Sequence, residues 1–458
     1  MPEKLLFVTG KLAAPALRMT LQKAKLPFKY DIAVMNISVA ALMTPQWIAK
    51  FLQVPPDITR IMIPGACEGD VQLLTAKFGV PAEKGPHDLK QLPRHFGSAA
   101  TPDAYGGHDI KIFAEINNAP RLSAEQIYAM AAYFRENGAD IIDLGMSPDR
   151  VWLEDGPGII AELKSRGYTL SIDTLNPAEI RMGDEAGVDY VLSLNSSNRV
   201  LGKDLRATPI LIPDSPDDLE SLDATIAEME RYGKSYLLDP ILTPINFGFA
   251  DSLARYHAVR RKYPQVEMMM GIGNITELTE ADTTGMTALM IGFCQELGIR
   301  NVLTTEVIHW AKGVVRETAI ARELMHFAQK QSSIPKHLDS RLLTVKDAEF
   351  TPYSEAELRE LHAQVTDPNY RIFADAESIY IFNSEQFIKG TDIQIIFDQL
   401  NVEEGSHAFY LGKELMKAHT ARSLGKNYQQ ENALNWGYLT VEEFRRGHVK
   451  LTAKSRHS

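Results

Sequence analysis

The 458-residue chain is 45% hydrophobic and 23% charged, with a formal net charge of −11. That balance is globular, the length calls for two or three domains, and the negative charge argues against nonspecific binding to nucleic acid or an anionic membrane. No apolar run reaches the ~20 residues of a membrane span, and MPEKLLFVTG begins as a strand without the length or cleavage site of a signal peptide.

Residues 1–95 alternate strand and helix. KLLFVTG, FKYDIAVMNI and ITRIMIP read as strands. LAAPALRMTLQKA, PQWIAKFLQ and EGDVQLLTAKFG read as helices. Together they predict a small open parallel sheet. VTGK (8–11) has a strand, a glycine, a lysine and then a helix, but lacks the earlier glycine and the following Ser or Thr of a phosphate loop. Cys67, in the turn PGACEGD, is either a reactive thiol at a helix start or a small buried one. Cys67 and Cys294 are the only cysteines and fall in different predicted domains, so a reduced, cytoplasmic setting is expected. The Gly- and Ala-rich stretch HFGSAATPDAYGGHD (95–109) reads as a linker.

The segment 108–331 carries eight short apolar runs: IKIFAEI, ADIIDLG, YTLSID, VDYVLSL, TPILI, SYLLD, VEMMMG and IRNVLTT. They scarcely alternate, as strands buried on both faces should not. A helical stretch is expected after each. Eight such units predict a closed (β/α)8 barrel. Its last helix, GVVRETAIARELMHFAQKQ, gives way to a second linker, SSIPKHLDS (332–340). The remainder, 341–458, reads as a small α+β domain: a hairpin in YRIFADAESIYIFNS with ADAE as its turn, a helix in HAFYLGKELMKAHTARSLGK, and a basic end expected to fray. The fold class is thus α/β, a barrel between an N-terminal open α/β domain (1–95) and a C-terminal α+β domain (341–458).

Most barrel strands end on, or just before, a polar residue, and such barrels keep their chemistry at that C-terminal mouth. The ring reads Glu115, Asn117, Asn118, Asp143, Asp173, Asn195, Asp214, Asp239, Asn274, Glu306 and His309. Asp173 and Asp239 are acceptor-only groups. Each can take two parallel N–H donors, which suits the amidine-like edge of a guanine, pterin or related ring. Asn195 offers a donor and an acceptor. Singly, each of the three also suits the cap of the following helix. Asn117 and Asn118 either ligate a hard cation such as Mg2+, hold a phosphate oxygen, or form a turn. Asp143 closes the second strand, and Arg150 in the loop beyond it either clamps a phosphate or lies free. His309 either serves an anion or acid–base step or is structural.

The ordered motifs resemble the pterin-binding barrel family that includes dihydropteroate synthase. GADIIDLGMSPDR is similar to its second-strand segment. SIDTLNPAEIRMGDEAGVDYVLSLNSSN resembles its Asp-bearing third and Asn-bearing fourth strands, and YLLDPILTPINFGF its sixth. VTGKLAAPALR and FYLGKELMKAHTARSLGKNYQQENAL resemble the flanks of synthase-like proteins linked to tetrahydromethanopterin biosynthesis. The resemblance implies that Asp173, Asn195 and Asp239 hold a pterin ring. It implies that Asn117 or Asn118 contacts the diphosphate or its Mg2+, and that Arg150 is a phosphate ligand. The implied reaction condenses a pterin-methyl diphosphate with an arylamine, in this branch a ribofuranosyl-aminobenzene phosphate. Arg150, Lys312 and Arg316 are candidates for its phosphate, with Lys11 more remote. Two departures stand out: GIGNITE lacks the family's lysine after strand seven, and TTEVIH keeps a histidine without the arginine of strand eight. A pterin-dependent methyltransferase and a noncatalytic pterin-binding protein therefore remain open, as does a homodimer.

Overall fold

The computed structural model describes residues 3–442 apart from 25, 38–39, 41–42, 87–88, 90–91 and 97–104. The basic end and the middle of the first linker lie outside the described residues. The chain forms two compact units, Ala104–Leu343 and the pair of flanks Met1–Asp103 and Thr344–Ser458.

The N-terminal flank runs β1 (Lys4–Thr9), α1 (Ala14–Ala24), β2 (Lys29–Val34), α2 (Pro45–Phe51), β3 (Arg60–Ile63), α3 (Gln72–Phe78), β4 (Ala82–Lys84) and α4 (Leu92–His95). The sheet order is β2-β1-β3-β4, all parallel. Alternate residues of β1 enter two cores, Leu6 and Val8 on one face and Leu5 and Phe7 on the other, which is why KLLFVT is apolar without alternation. The sequence reading left out β4, three residues with no hydrophobic pattern that extend the sheet through Ile61 and Ala82.

In the C-terminal flank, α13 (Glu355–His362) precedes β13 (Arg371–Ala374), β14 (Ile379–Phe382) and β15 (Phe387–Gly390), then α14 (Ile393–Phe397) and α15 (Gly405–Leu424). β13 and β14 form the expected hairpin, and Asp375 fixes its turn by accepting from the Glu377 and Ser378 amides at 2.8 and 2.7 Å. The third strand, β15, was not anticipated.

All eight expected strands of the second unit are present: β5 (Lys111–Ile116), β6 (Ile141–Gly145), β7 (Thr169–Asp173), β8 (Tyr190–Leu194), β9 (Thr208–Leu211), β10 (Leu237–Leu238), β11 (Met269–Gly271) and β12 (Asn301–Thr305). Between them lie α5 (Ala124–Glu136), α6 (Gly156–Ser165), α7 (Pro177–Ala186), α8 (Leu219–Tyr232), α9 (Phe249–Lys262), α10 (Gly273–Thr276) and α11 (Thr283–Leu297), with α12 (Val314–Lys330) last. One expected helix is absent: β8 and β9 are joined by a single 3-10 turn, Arg199–Lys203. Gly202 lets that turn lie against α8, since a Cβ there would fall 2.5 Å from the Met229 sulfur.

The strand order is β10-β9-β8-β7-β6-β5-β12-β11, all parallel. The two ends meet where Leu238 bridges to Met268 and donates to the Glu267 carbonyl at 2.9 Å, closing the ring. Inside it Phe113, Ile141, Leu192, Ile210, Leu237 and Met269 form an apolar plug; the larger core lies between ring and helices. Among the described residues no helix is long and apolar enough to cross a membrane.

Closure also runs through α12. Buried Arg322 donates to the carbonyls of Ile110 and Gly138 at 2.8 and 3.1 Å and pairs with Asp140, tying the last helix to the first βα unit. Removing one partner of a buried charged network leaves the others uncompensated, so Arg322→Ala is expected to cost roughly 3–5 kcal/mol of barrel stability. Urea unfolding followed by circular dichroism measures this. A loss below about 1 kcal/mol, the range of an exposed ion pair, would show that closure does not depend on it.

Candidate active site

Strand register determines what faces the mouth. Phe113 lies opposite Ile141, and Glu115 opposite Asp143; Asp143 lies opposite Ser171, and Gly145 opposite Asp173. Side chains of a strand alternate between faces. Phe113, Ile141 and Leu237 are in the plug, so Glu115, Asp143 and Asp239, each two residues further on, also point into the ring. Asp173 follows from its register with Gly145. Four carboxylates from β5, β6, β7 and the end of β10 therefore converge above an apolar floor.

The side chains are held unequally. The Asp239 Oδ1 accepts from the Tyr256 hydroxyl at 2.6 Å and the Ile241 amide at 2.8 Å. Ile241 has a φ of +69°, a left-handed conformation that a β-branched residue adopts only when held there. Buried Arg255 holds it, donating to the carbonyls of Pro240 and Ile241 at 2.7 and 2.6 Å. Asp143 is wholly buried; its Oδ1 accepts from the Ser171 hydroxyl at 2.5 Å and its Oδ2 has no partner. Glu115 accepts from the Asn117 amide at 3.1 Å. Its side chain occupies the space above Gly145, where a Cβ would lie 2.4 Å from Oε1. The Asp173 carboxylate makes no hydrogen bond among the described residues.

Burial favours the neutral form of a carboxyl, and neighbouring negative charge adds to it. Burial raises Asp173 to about 7, with Glu115 and Asp239 adding to it. Asp143 stands well above the usual carboxylate range through burial, then Asp173 and Glu115, against the Ser171 bond. Glu115 is raised by burial and Glu277, against Asn117. Burial also raises Asp239, opposed by Tyr256, the Ile241 amide and Arg255.

The other expected residues lie on the loops. Asn117 donates to Glu115, and its Oδ1 accepts from Asn118. The Asn195 Oδ1 accepts from the Ser197 amide and hydroxyl at 3.0 and 2.6 Å, the turn-capping use weighed above. Asn274 is exposed and donates to the Leu242 carbonyl at 2.6 Å, tying two mouth loops together. Arg150 and His309 are exposed, with no side-chain partner among the described residues. Asp214 accepts from the Ser196 amide, and buried Glu306 from the Val315 amide and the Tyr133 hydroxyl. Lys312 donates to the Glu306 carbonyl at 2.5 Å.

Sequence reasoning passed over Ser171, Gly145, Tyr256, Arg255 and Arg121. Ser171 could have been found, since it lies two residues before Asp173 on one strand. Tyr256 and Arg255 come from α9, and no local pattern marks them as partners of the loop after β10. Arg121 binds Ser147 at 3.1 Å and Asp149 at 2.5 Å, linking the loops after β5 and β6. No group of three or more His, Cys, Asp or Glu among the described residues is arranged to hold a metal ion.

Comparison with known proteins gives three kinds of similarity. The model of a family of unknown function, DUF6513, matches residues 3–87. The uncharacterized protein MJ0107 of Methanocaldococcus jannaschii is 26% identical over 93% of this chain and 98% of its own length. Similar solved structures are dihydropteroate synthases. That of Yersinia pestis with a pterine-sulfa conjugate is 17% identical, over 49% of this chain and 94% of that one, with a TM-score of 0.39. That of Coxiella burnetii with pteroic acid is 17% identical over the same shares, with a TM-score of 0.40.

The raised carboxyls make the stability pH-dependent in a defined direction. Folded Asp173 keeps its proton up to about pH 7, whereas the unfolded chain releases it near the ordinary 3.8. Its stabilising contribution is therefore complete below the lower value and is lost as pH rises through the upper one. Asp173→Asn should flatten the fall in melting temperature between about pH 5 and pH 8, and raise the melting temperature at the upper end by roughly 3 °C. Parallel slopes for the two proteins in thermal melts would count against the buried-cluster description.

Proposed function

We propose that the barrel mouth binds the N–H-bearing edge of a reduced pterin, and that the chain is a transferase of the dihydropteroate synthase type acting on a group attached to that ring. The observation that carries this reading is the pairing of Asp173 and Asp239 above an apolar floor. Asp239 is oriented by Tyr256 and the Ile241 amide through one oxygen, and among the described residues no donor occupies the other and none pairs with Asp173. A flat heterocycle with adjacent ring and exocyclic N–H groups supplies what these acceptors lack, as parallel charge-assisted hydrogen bonds. The order of the Asp-, Asn- and Asp-bearing strand ends supports the pterin over other such rings.

In the condensing form of the reaction, an arylamine attacks the pterin methylene as diphosphate leaves. The chain's part is to hold the ring, place the methylene at the mouth, and stabilise positive charge developing on the ring with fixed carboxylates. The amine is a ribofuranosyl-aminobenzene phosphate, within tetrahydromethanopterin biosynthesis. Mg2+ enters only as a companion of the diphosphate. Asn117 has its oxygen engaged by Asn118, and among the described residues no group of carboxylates forms a cation cage, so these residues do not fit a resident ion. A second reading, methyl transfer from a methylated pterin, is favoured by one observation: the charged groups acting on Asp143, Asp173 and Glu115 are all acids.

Asp239→Asn replaces an acceptor by an amide that presents donors to a donating ring. Titration calorimetry with 6-hydroxymethyl-7,8-dihydropterin should show binding weakened roughly 10- to 100-fold, the worth of a charge-assisted hydrogen bond. Unchanged affinity would sink the ring site. Product formation from the pterin diphosphate and an arylamine, followed by chromatography, separates condensation from methyl transfer.

A further inference from the structure

Asp239 sits at the end of the shortest barrel strand. β10 is only Leu237–Leu238, and at Asp239 itself the backbone gives one amide to the Leu211 carbonyl at 2.9 Å. The side chain is held from elsewhere. Tyr256, wholly buried on α9, donates its hydroxyl to Oδ1 at 2.6 Å, and the Ile241 amide donates to the same oxygen at 2.8 Å. Arg255, the neighbour of Tyr256, donates to the Pro240 and Ile241 carbonyls. Two consecutive residues of one helix therefore hold both the carboxylate and the left-handed turn behind it. Because both donors use Oδ1, the other oxygen is kept as an acceptor. A buried phenol needs a partner, and a backbone carbonyl would serve packing as well. Tyr256 instead meets an acid of the ring site, whereas Asp173 across from it has no donor among the described residues.

The groups that face Asp239 are Tyr256 and Arg255 from α9, Asp173 from β7 and Cys294 from α11. Burial raises the Asp239 carboxyl, and Tyr256 leads what opposes that, ahead of the Ile241 amide and Arg255. From this geometry we infer that Tyr256 is a positioning residue of the ring site, which through its hydroxyl fixes Asp239 in place and keeps it an ionised acceptor for the ring. The inference rests on the pterin reading and deepens it. A donor to an ionised carboxylate favours that form. Without the hydroxyl, Asp239 holds its proton to higher pH, and a protonated carboxyl presents a donor to a donating ring. Ring binding, which strengthens as the acids ionise, then begins at higher pH.

Titration calorimetry of the full-length protein with 6-hydroxymethyl-7,8-dihydropterin, in steps across the neutral range, tests this. In the wild-type protein the affinity should rise with pH through the joint ionisation of Asp173 and Asp239. Tyr256→Phe should move the midpoint of that rise upward by about one pH unit, the size expected for loss of one charge-assisted hydrogen bond. Added to Asp239→Asn, the same change should move the midpoint no further. Incorporation of 3-fluorotyrosine at position 256, a stronger donor of nearly the same shape, should move it downward, and this protein decides the matter if Tyr256→Phe does not fold. A Tyr256→Phe curve weaker by one factor at every pH, or an unmoved midpoint with 3-fluorotyrosine, would show that Tyr256 only packs. Either result overturns the inference and leaves the pterin site standing. Absence of pterin binding by the wild-type protein at every pH overturns the pterin reading and this inference with it.

Discussion

A ring of eight parallel strands closes only if each strand turns alternate side chains inward, and much of this barrel follows from that constraint. Below the mouth the inward residues fill the ring as an apolar plug of Phe113, Ile141, Leu192, Ile210, Leu237 and Met269. One step further along, the same periodicity has no more room for bulk and opens to the mouth. Whatever residues occupy that level are forced together. Here they are Glu115, Asp143 and Asp173, joined by Asp239 from the end of β10.

Like charges crowded over a hydrocarbon floor destabilise a fold unless some remain protonated or a ligand supplies donors. Protonation is favoured at Asp143 and Asp173, and the protein supplies some donors of its own. Ser171 supports Asp143, and Tyr256 with the Ile241 amide supports Asp239. Asn117 supports Glu115 through one oxygen, while the Asp143 Oδ2 and the Asp173 carboxylate are left without protein donors among the described residues. The left-handed Ile241, held between Asp239 and Arg255, belongs to the same pattern of local strain kept at a mouth loop.

The repeating units of the barrel were legible because strands covered on both sides are uniform apolar runs, and the segments between them carry helical periodicity. Asp173 and Asp239 were legible because a carboxylate at the end of such a run has one place to go. Asn195 sits at an equivalent strand end, yet its oxygen caps its own loop through Ser197; strand position alone cannot separate these uses. Partners drawn from distant segments were hidden. Tyr256 meets Asp239 across 17 residues, and Gly145 matters only because of the side chain that lies over it. Short elements whose formation depends on a neighbour, β4 and β15, leave no periodic trace, and the β8–β9 connection is too short to complete the helix that alternation suggests.

Arg322 also bears on how the barrel is made. The Ile110 carbonyl it binds lies 212 residues earlier, at the entry to the first strand. During synthesis, the first strand and helix emerge long before the guanidinium that satisfies their buried acceptors. Early units keep an open edge until β12 pairs with β5, and buried acceptors without their guanidinium until α12 leaves the ribosome; contacts of such long range make assembly slow. The nascent chain is therefore most exposed to misassociation just before its last barrel helix appears. A truncation ending ahead of Arg322 would keep all eight strands and lose the guanidinium that ties the last helix to the first βα unit.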